Sequence, residues 1–353
     1  DQLVDRGLVK TFADFYKLLG WEVRDPLEIV ERSASLLRPQ ADLLVVISHL
    51  GIEMDKRMAE QIGDIDLILG AHTHHLFEEP VRWGKGAYLC AAGKFGEYVG
   101  VVELELHPPG HHGRIKRVSG RCIASALQPP DPEIAGLAAA YRAAGAKQLR
   151  RVAAVVDEPL PSQHEAESPL GNMLAIGLRK WTGAEIGLVN AGQLLGGLES
   201  GPVTEGMIHQ LCPSPINPCR MTLAGDRILR SLEEALLSDF INKPIRGFGF
   251  RGNVLGTLCL DGLEVKYDPL APDYRKIVSV TVNGVPLRPD REYSVGTIDM
   301  FTFGAGYASL REGRDIRYYL PEFIRDVLVR MLHDPDALTS CRHRRWTSVS
   351  DRT

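Results

Sequence analysis

Cysteine is scarce in this chain of 353 residues: there are six, at positions 90, 122, 212, 219, 259 and 341, and no CxxC pair. That excludes a disulfide-stapled small scaffold and a cysteine-rich zinc module. The segment CPSPINPC has prolines that could bring Cys212 and Cys219 together. In a chain this long, free buried thiols are the favoured reading, and they point to a reducing compartment. Long apolar runs are missing as well. None approaches the roughly 18 to 20 residues of a membrane span, so no membrane association is expected. Charge of one sign is also lacking: 41 basic residues face 45 acidic ones, for a formal net charge of -4. Such a balance exerts no long-range pull on a nucleic acid polymer or an anionic lipid surface. A small phosphate ester stays admissible, because one cation in a cleft reverses the local sign. Asp1 follows no initiator methionine and begins no basic-then-apolar leader. The expectation is that a segment was removed ahead of it or that the sequence starts partway through a gene. Cytoplasmic location is the reading, with secretion or the cell envelope left open.

What is present has a clear order. ADLLVVISHLG, from Ala41, has the pattern of a strand buried on both faces. In EMDKRMAEQIG, Met54, Met58 and Ile62 recur at helical spacing, and Gly63 stops the helix. DIDLILGAHTHH supplies a second aliphatic strand. Strand, helix and strand predict a parallel βαβ unit, with both histidine-bearing stretches after the carboxyl ends of strands, where open α/β sheets place ligands. Further strands are expected at Ala87–Ala91 and Tyr98–Leu106, then a hairpin or loop through HPPGHHGRIKRVSG. LQPPDPE marks a break, and Pro132 suits the first turn of an alanine-rich helix. Beyond it, Ser168 and Pro169 open another helix, EIGLVNAGQLLGG reads as a strand entering a glycine-rich loop, and a helix at about 322–332 closes the region. The expected domains are therefore 1–127, a linker helix at 128–149, a second domain at 150–333 and a disordered tail at 334–353.

The histidines carry the chemistry. An extended chain after Gly70 aims His72 and His74 to one side, with His49 at the equivalent end of the neighbouring strand. Three neutral imidazoles converging there suit zinc, manganese or iron. A structural zinc site is disfavoured, since no cysteine stands beside His72 or His74. His107, His111, His112, His164, His209, His333 and His343 lack that context and read as surface residues.

ADLLVVISHLG followed by DIDLILGAHTHH resembles the later half of the calcineurin-like metallophosphoesterase domain of 5'-nucleotidase-type enzymes. ESPLGNMLA, GLVNAGQLL and EYSVGTID resemble the C-terminal domain of the same family. CPSPINPCRM, GFGFRG and TIDMFTFGAGY are most similar to its YunD-like bifunctional branch. The resemblance spans about 20–333. It implies an α/β fold: the C-terminal part of a metallophosphoesterase (α/β sandwich) domain, then a 5'-nucleotidase C-terminal α/β domain. It also implies a dinuclear divalent-metal site that activates water against a nucleotide or other phosphate ester. By motif match His49, His72 and His74 are ligands. The family's other ligands and its catalytic histidine come from DxH, GD and GNH motifs, none of which occurs between Asp1 and Val45. The expectation is thus a hydrolase represented without its N-terminal metal-binding segment and inactive by itself. The alternative is a non-catalytic nucleotide-binding or interaction remnant.

In the family the second domain stacks the base between aromatic rings and holds ribose and phosphate with arginines. Here Leu195 stands where the NxGGIR motif has arginine, Thr257 stands at the first ring position, and the aspartate of the last loop is absent. Substrate contacts are expected instead from Asn190, Gln193, Phe250, Arg251, Asp299, Phe301, Phe303 and Tyr307, with Phe248 beside them. Oligomeric state is not legible.

Overall fold

A computed structural model describes residues 16–17, 20–108 and 114–351. Asp25 accepts hydrogen bonds from the backbone N–H groups of Leu27 and Glu28, which with Pro26 in the first turn starts α1 (Pro26–Leu37). Leu27, Val30 and Ala34 recur at helical spacing and face one small core. β1 (Val45–Ser48), α2 (Ile52–Gln61) and β2 (Leu67–Gly70) follow. β1 and β2 pair in parallel, so the βαβ expectation holds. β3 (Val81–Trp83) and β4 (Ala87–Cys90) complete a sheet of order β1-β2-β4-β3, in which β4 is parallel to β2 and β3 antiparallel to β4. β5 (Tyr98–Leu106) and β6 (Ile115–Ala124) form an antiparallel hairpin. α3 (Pro132–Leu149) comes next, and the division into two compact units, Glu22–Ala139 and Ala140 onward, falls inside it.

One expectation about β1 fails. Val45 is 40% exposed and Ile47 86%, so the strand is not covered on both faces. Among the described residues of this unit, α1 and α2 pack only one side of the sheet, and Val46, Ile68 and Leu89 point to them.

The larger unit contains β7 (Val152–Val156), α4 (Pro169–Thr182), β8 (Ile186–Asn190), β9 (Gly201–Thr204), α5 (Glu205–Leu211), β10 (Pro218–Ala224), α6 (Gly225–Glu234) and α7 (Ser238–Ile241). Then come β11 (Leu258–Asp261), β12 (Leu263–Tyr267), β13 (Ile277–Val282), β14 (Val285–Pro286), β15 (Glu292–Ile298), α8 (Asp299–Thr302), β16 (Arg314–Tyr318), α9 (Ile324–Met331), α10 (Pro335–Ser340) and β17 (Trp346–Ser348). The main sheet has the order β11-β8-β15-β10-β16, and a second sheet runs β14-β13-β12-β17. α4 lies in the middle of the core, with Leu170, Met173, Leu174 and Leu178 fully buried. Ser168 takes the N-cap position of α4, but its side chain makes no capping bond.

The expected disorder of 334–353 is also corrected over 334–351, residues 352–353 lying outside the described ones. β17 pairs in parallel with β12, and Trp346 donates its indole N–H to Leu258 O at 3.0 Å. Arg345 reaches Asp261 at 2.7 Å, and both side chains are 7% exposed. Composition hid this because the segment has no periodicity of its own; it folds by supplying single residues to sites made elsewhere.

Candidate functional site

The turn after β1 is built around one hydroxyl. Ser48 Oγ accepts from Leu50 N–H at 3.2 Å and donates to Asp55 Oδ1 in the first turn of α2. His49 sits between the two ends of that turn and is exposed. Gly51 follows at φ 89°, a left-handed value that favours glycine. A Cβ there would meet Thr73 Cγ2 at 2.9 Å and His72 Cδ2 at 3.4 Å, so the two strand-end loops touch at this point. Thr73 Oγ1 accepts from Ile52 N–H at 3.1 Å, which ties the second loop to the start of α2.

The second loop is not extended, and this overturns the two-residue alternation expected after Gly70. His72 has φ 73° and His74 φ 54°. Thr73 N–H donates to Ala71 O at 3.0 Å, so His72 is the centre of a γ-turn of the rarer, strained hand. Left-handed non-glycine residues carry a cost and cluster at functional sites. The loop is pinned beyond the turn: Gly93 N–H donates to His75 O at 2.9 Å, and Phe77 N–H to Ala91 O at 2.9 Å.

His49 and His72 do come together, with ring centroids 5.1 Å apart in an edge-to-face arrangement. Burial first, and the neighbouring His49 second, hold the His72 imidazolium below its usual value. Both effects favour the neutral ring, the form that binds a metal. His74 lies 6.3 Å from the Phe95 ring, and His75 Nδ1 pairs with Thr73 Oγ1 at 2.9 Å. No group of three or more His, Cys, Asp or Glu side chains able to hold a metal ion forms among the described residues. Among the described residues, the donor set therefore fits one cation in part and supplies no group that would hold a second. His164, His209, His333 and His343 are exposed as expected, and His107 is half-buried; His111 and His112 lie outside the described residues.

The second-domain residues divide by burial. Asn190 and Gln193 are fully buried: Asn190 Nδ2 donates to Leu255 O at 2.6 Å and Gln193 Nε2 to Asn190 Oδ1 at 3.0 Å. They fasten the loop after β8 to the loop before β11. Phe301 and Tyr307 are fully buried with centroids 6.0 Å apart, and Tyr307 also stacks on Phe240 at 5.9 Å. The Tyr307 hydroxyl donates to Gly256 O at 2.6 Å. Their placement as base-clamping rings is corrected: with no exposed face, they act as core. Phe250 is 3% exposed and belongs to the same core. Phe303, 45% exposed, and Phe248, 37% exposed, are the rings these loops turn outward. Arg251 is half-buried, and its N–H donates to Ser214 Oγ at 3.1 Å. Burial raises the Asp299 carboxyl to about 7, although Asn217 and Met300 N–H groups oppose this. All six cysteines are free.

Ser48, Gly51, Asp55 and Thr73 escaped the sequence reading. One signal was available. Asp55 lies three residues after Ile52 and three before Met58, so helical spacing puts an acid on an apolar face.

Comparison with known proteins agrees with this architecture. Residues 146–310 match the family described as 5'-nucleotidase, C-terminal domain. Metallophosphoesterase YunD of Bacillus subtilis, itself uncharacterized, is 35% identical over 323 residues, which is 91% of this chain and 69% of that protein. An apyrase of Tabanus yao is 22% identical over 82% of this chain and 58% of its own length. Among solved structures, a 5'-nucleotidase precursor from Thermus thermophilus gives a TM-score of 0.52 at 22% identity, covering 93% of this chain and 68% of that one. A Staphylococcus aureus protein proposed to be a 5'-nucleotidase, solved with α-ketoglutarate, gives 0.67 at 15% identity, covering 94% and 70%. With its parallel strand-end histidines and its C-terminal α/β domain, the chain belongs to the 5'-nucleotidase and metallophosphoesterase superfamily of phosphoester hydrolases.

Proposed function

We propose that this chain serves metal-dependent hydrolysis of small phosphate esters, nucleotides among them, with the paired His49 and His72 as ligands of a divalent cation such as manganese, zinc or iron, and His74 assigned by motif match alone. The paired His49 and His72 rings, held at adjacent parallel strand ends by a strained turn, are the observation that carries this reading. Bound there, the cation would supply an activated water and polarise the ester. The residues of the chain hold the imidazoles in place and orient them. The second domain would face the nucleoside with Phe303 and Phe248, and its selectivity for the base should be loose, since Leu195 and Thr257 replace the family's arginine and ring.

The 353-residue chain by itself should show no appreciable turnover. Neutral imidazoles do not offset the repulsion between two divalent cations, and no carboxylate joins them in a group of three among the described residues. The same observation favours a second reading, a nucleotide-binding chain without catalysis. Assaying a chromogenic phosphate ester with added manganese or zinc separates the two. A longer chain carrying DxH, GD and GNH motifs ahead of Asp1 should turn over, and the 353-residue chain should not. Metal-dependent turnover by the short chain, abolished by His72→Ala, would refute the ligand count. A longer chain that binds nucleoside monophosphates without hydrolysing them would establish the second reading.

A further inference from the structure

The unit Glu22–Ala139 buries only two polar side chains among its described residues, Ser48 at 4% and Asp55 at 2% exposure. An acid at that depth is costly unless it is bonded, and burial does push the Asp55 carboxyl up while the Ser48 hydroxyl opposes it. Its placement explains why it is there. One carboxylate oxygen takes the single hydrogen of the Ser48 hydroxyl, which leaves the lone pairs of Ser48 Oγ for Leu50 N–H. That bond closes the turn on which His49 stands. The other carboxylate oxygen lies against Gly70, at the exit of β2 towards His72, where any Cβ would collide with it. Asp55 also shares with Thr73 and His75 the lining of a cavity of about 10 Å³. A single side chain thus sits beneath both histidine loops.

We propose that Asp55 is the positioning residue of the histidine pair: through Ser48 it sets the His49 turn, and against Gly70 it sets the departure of the His72 loop. This rests on the metal-site reading above, but the geometry it predicts can be read without metal. In the full 353-residue chain, nuclear Overhauser contacts between the His49 and His72 rings report the pairing directly. Zinc affinity by calorimetry reports its consequence. Asp55→Asn keeps an acceptor for the Ser48 hydroxyl; Asp55→Ala and Ser48→Ala do not.

The expected result is loss of the ring–ring contact in Asp55→Ala and Ser48→Ala, with zinc affinity falling about tenfold or more, the scale usual for residues that orient ligands. Asp55→Asn should retain the contact and the wild-type affinity. Thermal unfolding run beside these measurements identifies variants that fail to fold, and Ser48→Ala, which removes the two hydroxyl bonds and leaves the Asp55 side chain in place, keeps the test available if Asp55→Ala is lost. A folded Asp55→Ala with its ring contact and zinc affinity intact would overturn the proposal and leave Asp55 a packing residue. If the wild-type chain binds no zinc while Asp55→Ala still loses the ring contact, the metal reading fails and the positioning role stands.

Discussion

The two units treat the ends of their strands in opposite ways. In the unit from Ala140 onward, the loops after β8 and β15 fold inward, and Asn190, Gln193, Phe301 and Tyr307 are sealed there by bonds to backbone carbonyls and by ring packing. In the unit Glu22–Ala139, the loops after β1 and β2 stay at the surface, hold two non-glycine residues in left-handed conformations, and bring two imidazoles together. The first uses polar and aromatic side chains to build rigidity; the second uses a small core to hold reactive ones. A residue type at a strand end therefore says little about function until its burial is known.

The contrast can be tested first at its strongest point. Arg345→Ala leaves Asp261 as a buried carboxylate with Arg179 as its remaining ionic partner, and should cost about 3–5 kcal/mol. Met58→Ala, in the ten-residue buried core of the smaller unit, should cost about 2–5 kcal/mol. Hydrogen exchange read by peptide should show each loss confined to its own unit. Protection lost across both units in either variant would mean that they unfold as one and that the comparison is drawn too sharply.

A smaller effect concerns Asp299. Burial raises its carboxyl from the usual 3.8 to about 7. The folded chain therefore holds this proton more tightly than the unfolded chain, and the stability that results is full below about pH 4 and is lost as the pH rises through 7. Asp299→Asn stays neutral throughout. It should raise the melting temperature by about 3 °C at pH 8 and by less at pH 5.5. An equal change at both values would show that the carboxyl does not titrate in this range.

The slightest effect on stability is expected from Phe303→Ala. The ring is half exposed, so the melting temperature should barely move. Stacking of a base on an aromatic ring is worth roughly 1–3 kcal/mol, so nucleoside monophosphate binding measured by calorimetry should weaken by about tenfold. Unchanged binding would remove Phe303 from the site.

Periodicity carried most of the architecture. The aliphatic runs of ADLLVVIS and DLILG became paired parallel strands, and the alternation of VVELEL became one side of a hairpin. It failed where tertiary partners decide. Trp346 and Arg345 carry no pattern in CRHRRW, yet Leu258 and Asp261 give them places. Ile47 looks as buried as Val46 in the sequence, and only the absence of a layer over it among the described residues tells them apart. At the site, the residue types were legible and the backbone was not. Nothing in GAHTHH signals a γ-turn, because the turn depends on Gly51 and Thr73 meeting across two loops.

The left-handed backbone at His72 and His74 sets stability against chemistry at the same two positions. Glycine tolerates that conformation freely and asparagine nearly so, whereas an imidazole is held there at a cost of about 1 kcal/mol or more. Selection for heat resistance alone should therefore enrich glycine or asparagine at both positions, and each such gain would remove a ligand. It follows that His72→Ala isolates the ring, since alanine keeps a backbone cost of the same kind and removes only the imidazole. His72→Asn reports the other quantity: it relieves the turn while leaving a carboxamide oxygen that can reach a cation, so its gain in stability over His72→Ala measures the backbone cost.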